Sequence, residues 1–153
     1  MILIAAHTFY LFRTVPKDES REEMLRPFVQ ILTTEDNKRN WLLDTNSLLL
    51  KSRNDFERSK TKEQSIIYFQ GIIDSFRNQG SSVQSKADYF FAINFPLRWE
   101  LMKELSEFFK DTGCFMTAFE MLKDIGLGEE AVTCLFMAGR QTQAIKLAEE
   151  YLE

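Results

Sequence analysis

The chain has 153 residues, of which 44% are hydrophobic, 27% charged and 13% aromatic; this is enough to bury one ordinary core and too apolar for a disordered chain. A formal net charge of −4 denies it the broad positive field of a general nucleic-acid binder. Three prolines and six glycines suit helices and argue against a many-stranded all-β fold.

The first apolar run, Met1 to Phe12, is twelve residues long, too short to span a bilayer and without the basic start of a secretory signal. It predicts a helix from Ile2 to Arg13, ended by Val15 and Pro16. Ser20 and Glu23 have the spacing of a capping box, in which the hydroxyl and the carboxylate each satisfy a free backbone N–H. Pro27 falls inside the helix that follows and predicts a bend or split near Arg26, because proline removes a backbone donor. A break over 33–37, with Asp36 as N-cap, precedes a long helix from Lys38 to Arg58. Its Trp41, Thr45, Leu48, Leu49, Ser52 and Phe56 recur at three- and four-residue steps on one side. Thr61 and Gln64 form a second capping box. The next helix carries Ile66, Ile67, Phe69, Ile73 and Phe76, and Gly71 in its middle predicts close approach of a neighbouring helix.

Asn78 to Ser82 reads as a loop inside one domain. Val83 to Ile93 predicts a helix bearing Tyr89, Phe90 and Phe91. With Phe95 and Trp99 these aromatics read first as inter-helix core; because Phe90 and Phe91 point to different sides, Tyr89, Phe90 and Phe91 are also the candidate interaction surface, and self-association is the expectation where one of them is left on an exposed apolar face. Pro96 is placed in the first turn of a helix with Trp99, Met102, Leu105, Phe108 and Phe109 that stops at Gly113. Phe115 to Asp124 returns antiparallel to it. Gly126 is read as a left-handed helix end. Gly128 to Ala138 and Gln141 to Leu152 complete about nine helices and no strand.

The last third repeats itself. Leu105, Phe109, Gly113, Ala118, Leu122 and Ile125 have the same spacings as Ala131, Leu135, Gly139, Ala144, Ala148 and Tyr151. A glycine that ends one helix, followed five residues on by an alanine in the next, describes two helices packed around a tight turn. Gly113, Ala118, Gly139 and Ala144 are therefore assigned to repeat packing, with hairpins at 97–125 and 128–152, and Trp41 and Trp99 as large packing partners. The fold class is all-α: an α-α superhelix of tetratricopeptide-like hairpins in a right-handed solenoid. The glycines recur at 26 residues, against about 34 in the standard repeat. The whole chain, 1–153, is read as one helical-repeat domain of a longer protein, with 1–39 contributing N-terminal helices.

Little points to chemistry. Cys114 and Cys134 form no CxxC pair, and with His7 alone they cannot complete a zinc site. Both sit in apolar helical text and read as buried reduced thiols, which favours an intracellular compartment, cytoplasmic or nuclear. His7 reads as a core or boundary histidine. No phosphate loop, HExxH or GxGxxG occurs. The stretch Lys51 to Lys62 holds five basic and two acidic residues and reads as a solvated helix end. Repeats that clamp a chaperone's terminal carboxylate need a lysine and, four residues on, an asparagine; here Lys103 is followed by Glu107, which would repel that ligand. No enzyme activity, cofactor, metal, nucleic acid or membrane is expected.

Asn40-Trp41, the Ser47 to Arg53 and Lys62 to Ser65 segments and Gln70 to Phe76 are followed by Phe95-Pro96 with Trp99, then Glu104, Thr112-Gly113, Ala118 to Glu120, Glu129 and Ala138 to Arg140. In this order they resemble the tetratricopeptide repeat protein 27 family, which includes the fungal proteins essential for maintenance of the cell wall. The resemblance covers about residues 40–153; the stretch Glu120 to Glu129 departs from it by lacking a tryptophan in its turn. It implies an intracellular helical-repeat protein that binds other proteins as a scaffold or assembly factor. The partners it implies belong to chaperone or ribonucleoprotein assembly machinery. The alternative is a coat-protein or transport-complex solenoid.

Overall fold

The computed structural model describes residues 2–16, 19–32, 41–56, 60–77 and 95–152. These hold eight α-helices and no strand: α1 (Ile2–Thr14), α2 (Glu19–Leu32), α3 (Trp41–Phe56), α4 (Lys62–Arg77), α5 (Arg98–Asp111), α6 (Phe115–Asp124), α7 (Gly128–Met137) and α8 (Gln141–Leu152). They fall into two compact units, Met1–Pro96 and Leu97–Glu153, taken separately below.

In the first unit α1, α2 and α3 pack on one another and α4 packs on α3. The core is mostly aliphatic, with Ala5, Leu25, Leu32, Leu42, Leu43, Leu49, Leu50, Ile72 and Ile73 buried alongside Phe56, Phe69 and Phe95. α3 is enclosed on most of its circumference, since neighbours such as Leu42 and Leu43, or Leu49 and Leu50, are both buried. The one-sided stripe predicted for it captures Thr45, Leu49, Ser52 and Phe56 but misses Leu42, Leu43, Asn46, Ser47 and Leu50. A helix buried nearly all round has no single apolar face to detect.

Burying α3 draws polar groups inside. The Thr45 hydroxyl donates to the Trp41 carbonyl at 2.7 Å and that of Ser47 to Asp44 at 2.8 Å, the local back-bonding that lets hydroxyls enter a helix interior. Where α3 crosses α4, the Ser52 hydroxyl donates to the Ser65 carbonyl at 2.8 Å and the Ser65 hydroxyl to the Ser52 carbonyl at 2.6 Å. Side chains this small let the two backbones meet. Asn46 is fully buried, and neither oxygen nor nitrogen of its carboxamide has a hydrogen-bond partner.

Several local expectations are corrected. α2 runs through Pro27 without interruption. It begins at Glu19, one residue before the position expected for its N-cap, Ser20. Pro96 precedes α5, whose N-cap is Leu97. There the Glu100 carboxylate accepts the Leu97 N–H at 2.7 Å; a leucine side chain has no acceptor to return the bond, so this is half of a capping box. Thr61 stands just before α4, and its carbonyl accepts the Ser65 N–H at 2.9 Å, the first backbone bond of the helix. Its hydroxyl donates back to the Asp55 carbonyl at 2.6 Å, tying the turn to the end of α3. A Cβ at Gly71 would meet nothing within 4 Å, so among the described residues no helix presses on it. The close approach is at Gly128, where a Cβ would lie 2.8–2.9 Å from the Tyr151 ring. The loop over 78–82, the helix over 83–93 and the N-cap at Asp36 lie outside the described residues.

Candidate functional site

The second unit is built from one turn used three times. α5, α6 and α7 each end at a glycine with positive φ: Gly113 at 80°, Gly126 at 76° and Gly139 at 75°. In each turn the glycine N–H bonds three residues back, to Lys110, Lys123 or Phe136 at 3.0–3.1 Å. The residue after the glycine bonds five back: Cys114 to Phe109 at 2.8 Å, Leu127 to Leu122 at 2.9 Å, Arg140 to Leu135 at 3.0 Å. This double closure is the Schellman motif, and its left-handed position favours glycine because any Cβ is strained there. The same post-glycine residue opens the next helix, its carbonyl accepting the N–H of Ala118, Ala131 or Ala144 at 3.0–3.2 Å. One residue thus ends each pair of bonds and starts the following ladder.

The turns recur every 13 residues, half the 26-residue period read from the sequence. The packing follows the same step. Ala118, Ala131 and Ala144 are at most 4% exposed, as small groups must be where helices cross closely, and Leu105 holds the equivalent buried place on α5. Phe109, Leu122 and Leu135, again 13 apart, fill the space beside them and are buried. Gly113, Ala118, Gly139 and Ala144 therefore occupy turns and crossings. The extra members, Gly126 and Ala131, were visible in the sequence, but matching whole hairpins passes over a step of one helix.

The unit's outer surface differs. On α5, Trp99 is 50% exposed, although it was expected within the packing. Lys103 and Glu107 follow it at four-residue steps, which places the three on one stripe. The Lys103 ammonium donates to Glu130 of α7 at 2.8 Å, and Lys110 to Glu107 at 2.6 Å. The Lys103 pair clips α5 to α7: the hydrogen bond and charge of Glu130 hold the lysine above its ordinary pKa, and the hydrogen bond from Lys103 holds the Glu130 carboxyl below its own. With its cation committed, Lys103 is not a free anchor for a carboxylate ligand. Between α7 and α8 an apolar groove of about 500 Å³ is lined by Val132, Phe136, Ala144, Ile145 and Ala148 among others.

In the first unit Trp41 is a packing residue. Its indole N–H donates to Ser75 at 3.1 Å, and its ring meets Phe76 edge-on at 5.0 Å and Phe95 at 6.1 Å. Three cations of the basic stretch lie over aromatic rings: Lys51 over Tyr68 at 4.9 Å, Arg53 over Phe12 at 5.6 Å and Lys62 over Phe56 at 5.1 Å. His7 is exposed and meets the edge of Phe28 at 5.8 Å. Only one of the two thiols is buried: Cys134 is enclosed and raised in pKa by desolvation, whereas Cys114 sits exposed in the first turn. Tyr89, Phe90 and Phe91 lie outside the described residues. Among the described residues no cluster of His, Cys, Asp or Glu is placed to hold a metal, and no helix is long and apolar enough to cross a membrane.

Comparison with known proteins agrees with this architecture. The chain is 32% identical to the tetratricopeptide repeat protein 27 homolog of Dictyostelium discoideum over 132 residues, covering 86% of the chain and 15% of that protein. It is 23% identical to a TPR repeat-containing protein of Schizosaccharomyces pombe, over 74% of the chain and 18% of the relative. It is 24% identical to the essential for maintenance of the cell wall protein 1 of Saccharomyces cerevisiae, over 86% of the chain and 16% of the relative. It spans less than a fifth of the length of these relatives. No family model and no solved structure matches. An all-helical chain with hairpins closed by repeated glycine turns, alike in sequence to these proteins over most of its length, belongs to the tetratricopeptide repeat protein 27 family.

Proposed function

We propose that the chain is a non-catalytic scaffold or assembly factor that holds protein partners on the outer surface of its helical hairpins. The observation that carries this reading is the division of labour in the second unit. Alanine, leucine and phenylalanine close the interior, while the α5 stripe of Trp99, Lys103 and Glu107 is left on the surface, braced by the Lys103–Glu130 clip. An exposed tryptophan is the residue type most typical of a protein-binding hot spot, and Lys103 and Glu107 beside it suit the polar rim of such a site. The relatives' names describe tetratricopeptide repeat proteins, and helical-repeat arrays present extended binding surfaces. The proposed partners are chaperone or ribonucleoprotein assembly components, met in the cytoplasm or nucleus.

Affinity capture with the tagged chain from cells tests this. Enrichment of assembly chaperones and ribonucleoprotein components, reduced at least about tenfold by Trp99→Ala with helicity unchanged, supports the reading. Enrichment of membrane-coat subunits instead would make the protein a coat solenoid. Capture indifferent to Trp99 would move the binding surface elsewhere.

A further inference from the structure

α8 is held differently from the helices before it. Phe109, Leu122 and Leu135 form a buried column at 13-residue steps, one large side chain from each of α5, α6 and α7. The next member of that column, on α8, is Ala148, which is only half-buried. α8 packs on α7 but buries only Ala144, near the Gly139 turn, whereas α7 buries Ala131, Cys134 and Leu135. The far end of α8 supplies the missing anchor. There the Tyr151 ring lies on the backbone of Gly128, the first residue of α7, so closely that a Cβ would come within 2.8–2.9 Å of three ring carbons. Gly128 is not one of the left-handed glycines, so it is the seat for the ring, and not the backbone conformation, that requires a missing side chain here. Thirteen residues earlier the same two positions hold Phe115 and Ala138, a large residue opening α6 and a small one following α7. At α7 and α8 the sizes are exchanged and the pairing of large with small is kept.

We infer that Tyr151 and Gly128 form a clasp, and that α8 opens from α7 as one unit about the Gly139 turn when the ring leaves its seat. Two anchors bound the helix, Ala144 beside the turn and Tyr151 at the opposite end, and no large side chain between them is buried. Tyr151 is itself half exposed, so its ring can leave without disturbing the core. A segment with so few buried apolar groups opens locally at a lower free energy than the fold as a whole. The opening acts on the groove between α7 and α8. Ala144, Ile145 and Ala148 belong to the wall that moves, and Val132, Thr133 and Phe136 to the wall that stays, so the clasp sets the width of the groove. The inference does not depend on the scaffold reading.

Hydrogen exchange of the whole chain, read helix by helix, tests this. In the wild type the amides of α8 should exchange together, faster than those of α6 and α7 and slower than an unstructured chain. Tyr151→Ala should lower the protection of α8 at least about tenfold and leave that of α5 and α6 unchanged. Tyr151→Phe should keep it, because the ring and not the hydroxyl is seated. Gly128→Ala should lower it in the same way, since the new methyl displaces the ring. In a Tyr151→Ala background the same glycine change should remove no further protection, because alanine is the better helix former once no ring lies opposite. Should Tyr151→Ala lower the helicity of the whole chain, Gly128→Ala is read in its place. Protection of α8 that survives both substitutions overturns the inference, as do losses that add independently. So does a wild-type α8 that exchanges with α7 as a single body, or as fast as an unstructured chain.

Discussion

Leu97–Glu153 crosses its helices on Leu105, Ala118, Ala131 and Ala144 and stops three of them at the same left-handed glycine. In Met1–Pro96 the crossing of α3 on α4 falls on Ser52 and Ser65, also 13 residues apart, but there the two side chains exchange hydrogen bonds with each other's backbones. Six buried polar residues, Thr8, Thr45, Asn46, Ser47, Ser52 and Ser65, lie in the first unit; among the described residues the second buries one, Ser106. Small side chains permit the approach in both units. Alanine needs nothing further, whereas serine must have its hydroxyl satisfied, so the first crossing is specified by paired bonds as well as by shape.

Substitutions can sharpen that contrast. The largest effect is expected from Leu122→Ala, which empties a fully buried site in the regular unit. A loss of about 2–5 kcal/mol in urea unfolding should result. Gly126→Ala comes next. A Cβ there would meet no neighbour, but φ is 76°, so the cost is backbone strain alone, about 1–2 kcal/mol. Gly71→Ala is its counterpart in the first unit and should have the opposite sign. Gly71 lies in mid-helix with open space around its Cβ, so helix propensity raises the unfolding free energy by up to about 1 kcal/mol.

Asn46→Leu tests the polar interior. Its carboxamide is buried without hydrogen bonds, a desolvation cost of about 1–3 kcal/mol that a leucine of similar volume would remove. A higher unfolding midpoint is expected; a lower one would mean that the amide has a role in folding that the static geometry conceals.

The smallest effect is expected at the clip between α5 and α7. Both side chains are partly exposed, so Glu130→Gln should change stability little, and less in high salt. Its pH dependence is nevertheless distinctive. The carboxyl of Glu130 is depressed in the folded chain, so its contribution is present above the ordinary carboxylate range and is lost as pH falls through the folded-state value. Lys103 is raised, so its contribution is complete below the ordinary lysine value and disappears as pH rises through the folded-state value. The difference between wild type and variant should be flat across neutral pH and shrink at both ends.

The same contrast explains what could be read from the amino acids alone. The bounds of α6, α7 and α8 follow from local signals, a glycine and the apolar residues within five positions of it, and the predicted bounds differ from the structure by at most one residue. α3 resisted such reading because its burial is set by α1, α2 and α4 together, which no periodicity within its own sequence encodes. Gly71 was assigned to a helix contact because a mid-helix glycine costs stability; the contact is instead at Gly128, which looked like part of a turn. Whether a glycine is needed for its missing Cβ depends on which ring or backbone lies opposite, and that partner, Tyr151, is 23 positions away. The surface stripe was legible as Lys103 and Glu107, but the reach of Lys103 to Glu130 was not, since it depends on how two hairpins stack.

Because each turn both closes one helix and opens the next, the second unit counts in whole steps. Deleting a single residue within α6 would rotate everything after it by about 100° and turn the alanine column outward. Losing or gaining 26 residues would return every side chain to an equivalent place. Lineages carrying this segment should therefore differ by complete hairpins far more readily than by single-residue gaps.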